Sequence, residues 1–158
     1  MLQTASMMSP YSRMLRLDFQ DLTAFERVTE QYRHLGVYFS GAIALEPSNP
    51  AFPPKSTAFV LMPLGHEMII TVTFDTLARR IGAWVCGAGS VVLTAFDSDG
   101  KILKQASTTA SPWFTLSHQE RGAWPQQQLE LNQRGIAKVM FHSSSPFILN
   151  DFFFSQVF

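Results

Sequence analysis

The chain reads as an all-β protein: an antiparallel β-sandwich, or jelly roll, of about eight to ten strands. Three observations predict it. Apolar and polar residues alternate with period two in most segments, as on a half-buried strand. Turn-forming clusters separate these segments, namely Pro47-Ser48-Asn49-Pro50, Pro53-Pro54, Gly87-Ala88-Gly89 and Ser143-Ser144-Ser145-Pro146. The 14 phenylalanines supply the large apolar side chains that two facing sheets bury between them. The strand–helix–strand alternation of a parallel sheet is missing.

The elements follow in order. Residues 1–13 mix Gln3, Thr4, Ser6, Ser9 and Pro10 and read as a flexible tail, with one domain over 14–158. Leu15-Arg16-Leu17-Asp18-Phe19-Gln20 alternates cleanly, with Leu15, Leu17 and Phe19 inward. Residues 23–34 hold the one candidate helix: Phe25, Val28, Tyr32 and Leu35 fall near helical spacing, and Gly36 is placed to cap the end. A loop with a single helical turn fits the same residues. Val37 to Phe39 and Ala42 to Leu45 are strands straddling Gly41. Glu67 to Asp75 is the longest strand signal, rich in β-branched and aromatic residues. Further strands are expected over 80–86, 90–96, 101–107, 113–116, 128–131, 137–142 and 148–154. Asp97-Ser98-Asp99-Gly100 joins two of them as a hairpin turn, with Gly100 free to take positive φ.

Composition excludes several classes. Among the 158 residues, 12 Lys and Arg balance 12 Asp and Glu, so the formal net charge is 0 and no basic stripe awaits a nucleic acid. Charged residues are 15% of the chain, against roughly 25% in ordinary domains, so the surface is weakly charged. No apolar run reaches the ~18 residues of a membrane span. The first residues lack the apolar stretch of a signal peptide, so compartment stays open. Cys86 is alone and lies in the apolar run Ile81 to Cys86, which reads as a small buried hydrophobe. Trp84, in the same run, is expected in the core.

Motifs for chemistry are sparse. No G-x-S-x-G nucleophile elbow occurs, and Gly87-Ala88-Gly89-Ser90 lacks the lysine of a phosphate loop. His34, His66, His118 and His142 form no local metal pair. Asp97 to Gly100 is half of a calcium loop without its closing glutamate, because position 108 is Thr. Asp18 and Asp21 stand at the end of the first strand, while Asn150 and Asp151 interrupt the last. If those strands pair, their oxygens converge as a hard cation requires. Trp113 and Trp124 sit in polar, loop-rich surroundings and are the candidate ligand-binding platforms on which a sugar ring could stack.

The run Leu17 to Leu22, then Val28 to Tyr32 and Leu35 to Ala42, resembles the opening of bacterial extracellular jelly-roll domains. Many of these belong to PEP-CTERM-type proteins, and they are similar to carbohydrate-binding modules and galactose-binding-like folds. Ile70 to Asp75, Ile81 to Val85, Val91 to Leu103, Gly135 to Phe141 and Ile148 to Phe154 continue the resemblance, which covers about residues 15–155. It implies an extracellular setting and a structural Ca²⁺ held at Gln20 after the first strand and at Asp151, with Asn150 beside it, in the last; Asp21, from the converging acids above, joins them as a candidate metal ligand. In such domains the first position is acidic and the last pair carries two aspartates. Gln20 and Asn150 lower the negative charge here.

The function these readings favour is a non-catalytic module binding a glycan or another surface ligand. The alternatives are a small-molecule cyclase or lyase on a calcium-stabilised sandwich, and a self-associating protein. Self-association would use the Phe-rich C-terminal strand, Phe152, Phe153, Phe154 and Phe158, where alternation fails and at least one ring must face outward.

Overall fold

The computed structural model describes residues 12–48, 59–109 and 125–157. Ten strands are found among them: β1 (Ser12–Leu17), β2 (Arg27–Val28), β3 (Val37–Ser40), β4 (Ala42–Leu45), β5 (Val60–Pro63), β6 (Ile69–Gly87), β7 (Val91–Phe96), β8 (Ile102–Ser107), β9 (Gln126–Ser143) and β10 (Phe147–Val157). All pairings are antiparallel. The order is β2-β4-β5-β10-β6-β9-β7-β8, with β1 on β10 and β3 on β6. The all-β expectation holds. In place of a helix over 23–34 there is one 3-10 turn, Arg33–Leu35, closed by Gly36 at φ 76°. The helical spacing failed because Phe25 is 76% exposed while Val28 and Tyr32 are buried, so these residues do not share a face.

The strands expected over 67–75 and 80–86 are one 19-residue strand, and those over 128–131 and 137–142 are one of 18 residues. At about 3.3 Å per residue each would run some 60 Å if straight, too long for a domain of this size. Both bend where their ladder slips, between Thr73 and Arg80 of β6. A bulge of this kind kinks a strand and increases its twist. The first half of β6 carries β3 and the second half of β9, while its second half carries β10 and the first half of β9. Ile70 and Val72 from the first half meet Ile81, Ala83 and Val85 from the second in a single buried cluster. One continuous sheet thereby folds over itself into the two layers of a sandwich.

The core is aromatic where the layers meet. Phe39 lies 6.1 Å from Phe19 and 5.8 Å from Phe152, and Phe74 lies 5.4 Å from Phe154. Phe96 does not join this core. Val91, Leu93 and Ala95 take the inward positions of β7, so alternation turns Phe96 out, where Lys138 Nζ sits 4.6 Å from its ring centre. The Asp97–Gly100 hairpin forms as expected. Asp97 Oδ1 accepts from the Asp99 and Lys101 amides, and Gly100 has φ 84°.

Candidate functional site

The site grows from the second halves of β6 and β10. Ile81, Ala83 and Val85 face the core, so Arg80, Gly82, Trp84 and Cys86 fall on the outer face. On β10, Phe152 and Phe154 are fully buried in the core, and Phe153 between them turns outward. It pairs with Gly82 across the ladder. A β-carbon at Gly82 would collide with the Phe153 ring and approach the Leu129 carbonyl oxygen to 2.7 Å. The absent side chain is what lets the phenyl ring lie down on the sheet. Along β6 the order is therefore guanidinium, phenyl, indole. Arg80 Cζ is 5.8 Å from the Phe153 ring centre, and half-buried Trp84 follows two residues later.

Polar groups border this strip on both sides. On the β9 side Gln128 faces the groove, and Glu130 pairs with Arg80 Nε. On the other side Asp151 Oδ1 accepts from Arg16 Nη2 of β1 at 2.8 Å. Asp151 is almost fully buried and adopts φ 52°, a left-handed conformation that aspartate tolerates better than most residues. The ladder slips at this point, between Asn150 and Phe153, which turns the carboxylate toward Arg16. Hydrogen bonds and charge from the two acids raise the pKa values of Arg16 and Arg80, locking both in the charged form. The groove lined by Arg16, Arg80, Trp84, Gln128, Asp151 and Phe153 holds about 400 Å³, and Glu130 stands beside it on Arg80. Asn150, opposite Trp84, is buried, and its amide oxygen and nitrogen have no hydrogen-bond partner among the described residues.

The expected site residues fare differently. Trp113 and Trp124 lie outside the described residues. Trp84, expected in the core, is on the outer face instead. The apolar run around it suggested burial, yet alternation with Ile81, Ala83 and Val85 already pointed it outward. Cys86 is buried, and burial pushes its thiol up to about 12, as expected for an inert packing group. Phe158 lies outside the described residues, so only Phe153 of the C-terminal aromatic run is described as reaching the surface.

Of the residues expected around Ca²⁺, the two aspartates meet other partners. The termini do pair, β1 on β10. However, Asp21 accepts from the Tyr32 hydroxyl at 2.7 Å, Gln20 is exposed, and Asp151 is engaged by Arg16. Burial and the Asp21 bond raise the Tyr32 pKa, so its proton stays on that bond. A calcium ion takes six to eight oxygen ligands. A carboxylate already bound to a guanidinium, with its positive charge alongside, does not fit that requirement. No group of three or more His, Cys, Asp or Glu suited to a metal occurs among the described residues. No helix among them is long and apolar enough to cross a membrane.

No family model matches the chain, and neither does any curated protein. Solved structures do. The K2 cleaved adhesin domain of Lys-gingipain superposes with a TM-score of 0.53 at 12% identity, over 89% of this chain and 97% of that one. A variant of a family 29 carbohydrate-binding module, solved with mannohexaose, gives 0.51 at 8% identity, over 90% and 92%. The likeness is one of fold. The sandwich described above is similar in fold to these domains, whose own folds are jelly-roll and galactose-binding-like.

Proposed function

We propose that this chain is a non-catalytic glycan-binding module whose ligand lies on the Arg80–Phe153–Trp84 strip. The observation that carries the reading is the flat aromatic floor created by Gly82. Sugar rings present an apolar C–H face, which stacks on an aromatic ring, and an equatorial fringe of hydroxyls, which needs donors and acceptors beside it. The strip supplies the first through Phe153 and Trp84. Arg16, Asp151, Gln128 and Glu130 supply the second. Two arginines and two carboxylates cancel, so a neutral sugar suits the groove better than an anionic one. The ion pairs hold these long side chains in place before the ligand arrives, which lowers the ordering cost of binding. The carbohydrate-binding module of similar fold solved with mannohexaose supports a glycan ligand. An extracellular setting suits one as well. We further propose that the Arg16–Asp151 pair closes the β1–β10 rim in this chain without a structural calcium.

The test is affinity electrophoresis against soluble mannan, cellulose-derived glucan, galactan and xylan, with polygalacturonate as the anionic control. At least one neutral polymer retards the native chain, and Trp84→Ala abolishes the retardation while circular dichroism stays unchanged. No retardation by any polymer, or full retardation of W84A, would sink the proposal.

A further inference from the structure

The chain has a second site that the glycan reading does not use. It lies at the C-terminal end of β4, beside β5 and the start of β10, and is a pocket of about 280 Å³. That is the lower end of small-molecule site volumes, the size for one compact group. Leu45, Met62, Phe147 and Ile148 form its floor, and Phe25 and Glu46 stand at its mouth. Phe25 is the feature that calls for an explanation. Its ring is 76% exposed, and its backbone has φ 67°, a left-handed conformation costly for a bulky residue. A free loop would relax both. This one is held: the Phe25 amide donates to the Ala44 carbonyl at 2.7 Å, and the Ala44 amide donates to the Glu26 carbonyl at 2.8 Å. The Glu26 carboxylate in turn accepts from the Thr23 amide and the Gln31 side chain. Strain kept in place by four hydrogen bonds, with a large exposed ring beside an apolar hollow, is the pattern of a presented contact.

The chemistry at the mouth selects the ligand. Among the described lining residues Glu46 is the one ionisable group, and no arginine or lysine balances it. Aromatic faces attract cations, as does a carboxylate, and the floor asks for apolar surface around the charge. From this we propose that the pocket binds a small apolar ammonium ion, a quaternary or alkylated amine free in solution, seated between Phe25 and Glu46 over Met62 and Ile148. An anion is repelled by Glu46. A neutral apolar group gains only the floor.

Methyl NMR on the full chain tests it, with choline as the probe and 3,3-dimethylbutan-1-ol as its neutral isostere. Choline is expected to shift the Met62, Ile148 and Leu45 methyls saturably, while the Trp84 indole signal stays in place. Glu46→Gln and Phe25→Ala each weaken choline by about two- to fivefold, the scale of one exposed ammonium contact. Phe25 is exposed, so its removal leaves the fold intact, and unchanged methyl shifts elsewhere in the core verify that. Equal affinity for the isostere, affinity unchanged in E46Q, or shifts confined to Trp84 each overturn the proposal. Loss of polysaccharide retardation in W84A reads the other site and is independent of these outcomes.

Discussion

The two faces of the β6–β10 pair are built from alternate residues of the same strands, yet they obey different rules. The inner face, Ile81, Ala83, Val85, Leu149, Phe152 and Phe154, is apolar, buried and interlocked with the other layer. The outer face, Arg80, Gly82, Trp84, Asp151 and Phe153, mixes planar charged groups, aromatic rings and one missing side chain. Burial explains every residue of the first set, because each methylene removed from water contributes about 0.8 kcal/mol. It does not explain the second. Gly82 lowers strand stability, since glycine has no side chain to pack and much freedom to lose. Asp151 takes an unfavourable backbone conformation. A face that gives up stability to keep a ring flat and a carboxylate aimed is shaped by contact with something else.

Adjacent phenylalanines put the sharpest test on that contrast. Phe152→Ala removes a fully buried ring and is expected to cost 3–5 kcal/mol, the range for large core truncations. Phe153→Ala, one residue away, should cost under about 1.5 kcal/mol, the loss of a half-exposed contact, and should abolish polysaccharide retardation. Chemical denaturation and electrophoresis read the two effects separately. Equal destabilisation by both would erase the distinction between the faces.

Gly82→Ala is the next largest. The added methyl meets the Phe153 ring on one side and the Leu129 backbone on the other, and the backbone cannot turn away. Overpacking of this kind costs about 1–3 kcal/mol, and it tips Phe153 off the sheet, so retardation falls even where folding survives. A double variant, Gly82→Ala with Phe153→Ala, recovers stability but not binding if the ring is the obstacle. Failure to recover places the strain on Leu129 instead.

Much of this architecture was legible from period two alone. β3, β4, β7, β8 and the Asp97–Gly100 hairpin fall where alternation and turn residues put them, whereas β1 begins at Ser12, inside the expected tail, and ends at Leu17, three residues short of the alternating run. The long strands did not, because Thr76-Leu77-Ala78-Arg79 breaks the alternation at the very place where β6 bends and continues. β5 was missed behind a proline-rich stretch, and β2 inside an apparent helical spacing. The outer-face site was half visible: one of Phe152, Phe153 and Phe154 had to face out, and it is Phe153. Trp84 was misjudged because its neighbours are apolar. Nothing local to the sequence says that Gly82 and Phe153 meet, since that pairing joins residues 71 positions apart, 153 − 82.

Asn150 and Cys86 probe the border between the faces. A buried amide without partners carries its desolvation cost unrelieved, so Asn150→Leu should raise stability by about 1–2 kcal/mol. A loss of stability would mean that the amide contributes packing or bonding that an apolar side chain cannot replace. For Cys86 the sign runs toward alkaline pH. Its thiol titrates near 9.0 when unfolded and is pushed up to about 12 when folded. The stability it contributes is therefore complete below about pH 9 and declines as pH rises toward 12. Cys86→Ala should flatten that alkaline decline, and in the native chain a thiol reagent at pH 8 should react only on unfolding.

The smallest expected effect is the response to calcium, and its size decides what holds the β1–β10 rim. A tight site saturated about a hundredfold above its dissociation constant adds roughly 2.7 kcal/mol, which moves the midpoint of a domain this size by several degrees. With Arg16 on Asp151 and Tyr32 on Asp21, the thermal midpoint should agree to within about 1 °C between millimolar calcium and EDTA. Arg16→Gln makes the comparison decisive. It removes the guanidinium and leaves the Asp151 carboxylate, so a calcium response that appears only in this variant shows that the arginine occupies the place of the ion. A response already present in the native chain would instead make the rim a cation site, and the arginine a ligand of its periphery.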